Sequence, residues 1–269
     1  MLSLLSYTFF QYALIGALLS SVLCALVGSY VVTRRLVITG GGMAHASLGG
    51  VGMGAYFGFS PVLGAAAFAL MSGLSIDWLG RRREVREDSA VAMVWTFGMS
   101  LGILFAFLAP GFMTDLPAYL FGDILSISAA DLWAMGALTA VAILIFFAFE
   151  RSIITIAYDR DFAFSQGLPV RTLEVLLTAL TALTIVGCLR MVGIVMVISL
   201  LSIPQLTAAL FTRTFRGMIW GSMAVGFLDC LLGLWMSYVL NVPSGASIIV
   251  VSVLVYFAGR TIKSLKSRF

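Results

Sequence analysis

Apolar runs of bilayer length recur along the whole chain, separated by short polar or charged breaks. A spanning helix needs about 20 such residues. The runs predict helices over about 9–33, 43–58, 61–80, 89–109, 131–149, 171–188, 191–210, 218–240 and 246–262. The ten-residue alternation that marks membrane strands is missing from them. The expected architecture is an all-α integral membrane protein, a polytopic bundle of about eight or nine transmembrane helices in one domain over residues 1–269.

The second run differs from the others. As a helix over 43–58 it would rise only about 24 Å at 1.5 Å per residue, short of the hydrocarbon core. That length predicts burial among other helices. Residues four apart share a helix face, and Gly42, Ala46, Gly50, Gly54 and Gly58 make an unbroken row of small residues. Such rows let helix backbones approach closely inside a membrane. The neighbouring row carries His45, the only histidine of the 269-residue chain, with Gly49, Met53 and Phe57.

Composition sharpens the class. Charged residues make up 10% of the chain and apolar ones 61%, against about 25% charged in soluble domains. The net charge of +4 does not point to nucleic acid, because the basic residues sit in clusters between apolar runs. Alternating the runs across a bilayer puts Arg34–Arg35, 81–86, 151–171, 213–216 and the tail on one side, with Arg190 the exception. The positive-inside rule then expects the N-terminus outside and the C-terminus in the cytoplasm of a multi-pass cell-membrane protein. Cys24, Cys188 and Cys230 show no metal or disulfide spacing and read as buried small hydrophobes. Both lysines lie after residue 260, so the G-x-x-x-x-G-K-[ST] phosphate loop is missing and ATP cannot be bound that way.

Four stretches, in order, resemble one family. Gly40-Gly41-Gly42-Met43-Ala44-His45-Ala46-Ser47-Leu48-Gly49-Gly50 is similar to the G-D-A-x-S-H-A-x-L-P-G block of the permease subunits of zinc, manganese and iron ABC transporters. Phe121-Gly122-Asp123-Ile124-Leu125, the D-x-x-F-A-x-x-x-G-L pattern over 159–168, and Pro243-Ser244-Gly245 match further blocks. The resemblance implies a type II ABC-importer-like permease that carries a divalent metal ion as substrate, with no cofactor of its own. It also implies partners: a separate cytoplasmic ATP-binding subunit, an extracytoplasmic solute-binding protein and a second permease copy. Asp159, Asp161, Phe162, Ala163 and Gly167 would form the segment touching the ATPase.

The candidate pathway residues are His45, Asp229 and Asp123. Neutral imidazole is a common ligand for divalent transition metals, and an ionisable residue inside a membrane marks a functional site by default. A histidine can equally serve a neighbouring helix by a hydrogen bond. The chain departs from the family pattern where the aspartate four residues before the histidine becomes Gly41, and the serine before it becomes Ala44. Asp229, in the middle of an apolar run, is the best replacement carboxylate, although a charge there costs about 3 kcal/mol on insertion scales. A carboxylate paired with a polar helix, or simply protonated, is the alternative. Asp123 is a weaker candidate, with helix capping or a vestibule role as the alternatives. Loss of a hard oxygen ligand keeps a second cargo in view, a chelated metal or another small solute. An intramembrane enzyme fits poorly, because one histidine cannot supply an H-E-x-x-H pair and Ser47 lies on another face of the helix from His45.

Overall fold

The computed structural model describes residues 7–81, 85–109, 122 and 127–266, which form eleven helices. They are α1 (Thr8–Thr33), α2 (Val37–Phe57), α3 (Pro61–Arg81), α4 (Glu87–Leu108), α5 (Ala129–Ala148), α6 (Glu150–Tyr158), α7 (Arg160–Ser165), α8 (Val170–Leu200), α9 (Ile203–Phe211), α10 (Phe215–Leu240) and α11 (Ser244–Lys266). Eight stretches are long and apolar enough to cross a membrane: α1, α3, α4, α5, α10, α11, Val170–Leu189 of α8, and Met191–Phe211 across α8 and α9.

The second helix begins earlier than its apolar run suggests. α2 has 21 residues, a rise of about 32 Å that matches the hydrocarbon core. The expected short segment over 43–58 is therefore corrected. Its glycines and His45 dilute its apolarity, yet it is buried among neighbours as expected. The start follows from a tight turn: Leu36 N–H donates to Val31 O at 2.8 Å and Arg35 N–H to Val32 O at 3.1 Å. Arg35 takes φ 60° there, the left-handed position that usually falls to glycine.

α2 packs on α3, α4 and α8, while α1 packs on α5, α8 and α10, and α9, α10 and α11 pack on one another. α8 thus touches both groups. It is broken at Gly193, whose φ of 74° and ψ of 165° are not helical. Gly122 fits against that break, because a side chain on it would run into the backbone of Val192 and Gly193. The glycine of the 121–125 block therefore has a packing reason.

The segment 150–170 is two short helices rather than one connector. The Asp159 carboxylate caps α7 by accepting from Phe162 N–H at 2.9 Å. At its other end Leu168 N–H donates to Ala163 O and Gly167 N–H to Phe164 O, with Gly167 left-handed at φ 73°. Ion pairs join the charged segments at one end of the bundle: Arg34 and Arg160 with Glu174, and Arg216 with Glu150.

Candidate transport pathway and coupling surface

Four of the five small residues of α2 do what their spacing predicts. A Cβ on Gly42 would stand 2.6 Å from Val91 Cγ1 of α4, and one on Gly54 would stand 2.7 Å from Pro61 Cα of α3. A Cβ on Gly50 would strike the Gly64 backbone of α3, and Ala46 packs so closely on Gly98 of α4 that a Cβ there would lie 2.6 Å from its Cα. Gly58 is a correction. It ends the helix with φ 77°, has open space around it and packs against nothing. It serves as the left-handed cap that lets the chain turn into Pro61.

His45 stands on the α4 side of α2, half-buried. Its ring stacks on Trp95 with centroids 4.4 Å apart and planes 6° apart. Trp95 Nε1–H donates to Met99 Sδ at 2.8 Å, which fixes the indole in turn. The Nδ1 atom of His45 is buried without a hydrogen-bond partner in the protein. One turn earlier Gly41 leaves room: a Cβ there would meet only Ile198 Cδ1, at 3.8 Å, and one on Gly40 would meet nothing within 4 Å. A first side-chain carbon at position 41 therefore meets no clash.

The structure does not bring Asp229 to His45. Asp229 is fully buried on α10, on the α1–α9–α11 side of the bundle. Both carboxylate oxygens lack hydrogen-bond partners, and Ser252 Oγ of α11 lies beside them outside bonding geometry. Among the described residues, no group of three His, Cys, Asp or Glu side chains is arranged to hold a metal ion. Asp123 lies outside the described residues. The cysteines converge although their sequence spacing gave no sign of it: Cys24 Sγ lies 4.0 Å from Cys188 Sγ, and all three thiols are free and buried.

A cavity of about 420 Å³ opens at the charged end, lined by Met43 of α2, Asp77, Glu87, Glu174, Arg34 and Arg160 among others. Met43 is two residues from His45 in sequence, so the cavity reaches the helix that carries it. On α7 only Ala163 is buried, while Phe162 and Phe164 stand out at 53% and 76% exposure. Two apolar rings on a charged, non-spanning helix form a surface suited to a protein partner. Asp159 caps this helix, Gly167 ends it, and Asp161 lies exposed in its first turn.

Two residues of this region carry no motif. Trp95 sits in an apolar span with nothing to set it apart. Glu174 had one readable signal, a lone carboxylate inside the apolar run 171–188.

The sequence matches the family described as "ABC 3 transport family" over residues 6–263. An uncharacterized membrane protein of Synechocystis sp. (strain PCC 6803) is 38% identical over 256 residues, covering 95% of this chain and 91% of that protein. The manganese transport system membrane protein MntC of Halalkalibacterium halodurans is 32% identical over 249 residues, covering 93% of this chain and 85% of that one. Among solved structures, PsaBC from Streptococcus pneumoniae in complex with Fab superposes with a TM-score of 0.86 at 27% identity, over 95% of this chain and 92% of that chain. With its helical bundle of membrane spans, the chain belongs to the ABC 3 transport family and is a membrane permease of the metal ABC transporter type.

Proposed function

We propose that this permease imports a divalent metal ion, manganese first among zinc, manganese and iron, with ATP hydrolysed by a separate subunit. Its basic end faces the cytoplasm, where α7 meets the ATP-binding subunit. A solute-binding protein delivers cargo outside, and a second copy of the chain completes the channel. The observation that carries the reading is His45. It is a lone imidazole on a small-residue helix, with Nδ1 unpartnered and one face stacked on Trp95. An imidazole on the pathway binds its ion by one nitrogen and releases it readily, as conduction requires. The manganese cargo takes its support from relatives such as the manganese transport system membrane protein MntC.

The test is radioactive manganese uptake by the permease reconstituted with its ATPase and solute-binding protein. His45→Ala should remove uptake while the assembled complex persists. Normal uptake by that variant ends the reading.

Gly41 favours a second cargo. With glycine at position 41 there is no carboxylate one turn before His45, which suits a chelated or still-hydrated metal better than a bare ion needing a hard oxygen ligand. Competition of uptake by free manganese against a manganese chelate separates the two.

A further inference from the structure

We propose that Glu174 is the positioning residue that carries movement of α7 to the junction of α1 and α2. This rests on α7 being the segment that meets the ATPase.

One carboxylate is shared by two guanidinium groups from different segments of the chain. Arg160, the first residue of α7, grips it as a fork, with Nε 2.7 Å from Oε1 and Nη2 3.3 Å from Oε2. Arg34, which ends α1, places Nη2 3.2 Å from the same Oε1. The Glu174 side chain is only 12% exposed, and Arg34 only 24%. A charge-assisted fork at such a site has fixed geometry, so the three side chains move together or separate.

The mechanical setting supports this. α7 is six residues long, buries only Ala163, follows α6 directly at Asp159 and packs on it, and is joined to α8 by the turn through Gly167. Arg34 is followed by the left-handed Arg35 and then, two residues on, by α2. A non-glycine residue held left-handed is strained by about 1–2 kcal/mol. The turn that sets the start of α2 is thus strained, and Glu174 holds its first residue. Arg34, Glu174 and Arg160 also wall the cavity that reaches Met43, close to His45 in the sequence. Displacement of α7 therefore has a direct path through one carboxylate to the helix that carries the imidazole.

The experiment measures metal moved per ATP hydrolysed by the whole reconstituted complex. Glu174→Gln keeps the side-chain shape but removes the charge. ATP hydrolysis should persist while the transport ratio falls about five-fold, the scale on which changes along a coupling network act. Glu174→Asp, which keeps the charge, should restore part of the ratio. Arg160→Gln should match Glu174→Gln, and the double variant should be no worse than either single one. A normal ratio in Glu174→Gln overturns the proposal. If Glu174→Gln assembles poorly, Arg160→Gln is read instead, and a normal ratio there overturns it equally. Asp161→Lys on the open face of α7 separates the two levels. If it leaves the ratio normal, α7 is not the ATPase contact and the underlying reading fails. If it lowers the ratio while Glu174→Gln does not, only the Glu174 proposal fails.

Discussion

The imidazole of His45 lies flat on the indole of Trp95, centroids 4.4 Å apart and planes 6° apart. Stacking covers one face of the imidazole, and the in-plane Nδ1 is buried without a hydrogen-bond partner. A ligand lone pair lies in the ring plane, so the stack orients the ring rather than competing for its nitrogens. Trp95→Leu should therefore raise the KM for metal uptake. A stacked aromatic pair contributes about 0.5–1.5 kcal/mol, which corresponds to roughly two- to ten-fold. Trp95→Phe should retain most of the effect, because it keeps a ring. An unchanged KM in Trp95→Leu would show that the stack only packs the helices.

Two glycines of α2 make a contrast that sequence alone cannot draw. A Cβ on Gly41 meets only Ile198 Cδ1, whereas one on Gly50 collides with the backbone of Gly64. Gly41→Ala should be neutral or stabilise by up to about 1 kcal/mol, the helix-propensity difference. Gly50→Ala should destabilise by about 1–3 kcal/mol or more, as overpacking does. Thermal unfolding of the purified protein in detergent reads both. Gly41→Asp, whose Cβ meets no clash, should strengthen uptake of the free divalent ion. No gain there would count against the missing carboxylate as the cause of altered cargo.

The spans were legible because they depend on local signals. Apolar run length and Ser60-Pro61 each act within a few positions. The segment from Asp159 to Gly167, by contrast, was singled out by its likeness to a family block and read as a charged loop, not as the helix it forms. The start of α2 was not legible, since Thr39 and Gly40 to Gly42 are weak helix formers and their helix is sustained by packing. Gly58 continued a small-residue row but follows the last helical residue, and the nearby Ser60-Pro61 turn was the signal for a cap. Trp95 against His45, and Glu174 between Arg34 and Arg160, join residues far apart in the chain. Nothing in the spacing of the residues encodes such meetings. The same holds for Cys24 and Cys188.

Asp229 should prove to be a matter of stability rather than transport. Its carboxyl group is fully buried, unpaired, and on a helix that packs away from α2. A buried ionised carboxylate without partners is costly, so the neutral isostere loses nothing. Asp229→Asn should assemble at least as well as the parent and transport metal at a similar rate. Normal assembly with abolished uptake would return Asp229 to the pathway.

The last prediction concerns pH at the charged end. Arg216, in the first turn of α10, grips Glu150 of α6 through both carboxylate oxygens, Nη2 standing 2.6 Å from Oε2. Hydrogen bonding from Arg216 holds the Glu150 carboxyl below the usual carboxylate range, against a small opposing effect of burial and with help from the Arg216 and Arg151 charges. A depressed value means the folded state favours the ionised form. The contribution of the pair is therefore complete above the ordinary carboxylate range and is lost as pH falls through the lower, folded value. Because Arg216 is 73% exposed, the pair is screened by salt, and its effect should shrink as ionic strength rises. The tether of α6 to α10 should thus be steady at and above the ordinary carboxylate range and weaken only as pH falls below it, through the lowered folded value of Glu150. Protection of the α6 amides, taken as the exchange rate in detergent relative to the intrinsic rate at each pH, should fall only at the acid end. In Glu150→Gln protection should be low throughout and show no such step. An identical acid response in parent and variant would assign the loss to some other carboxylate.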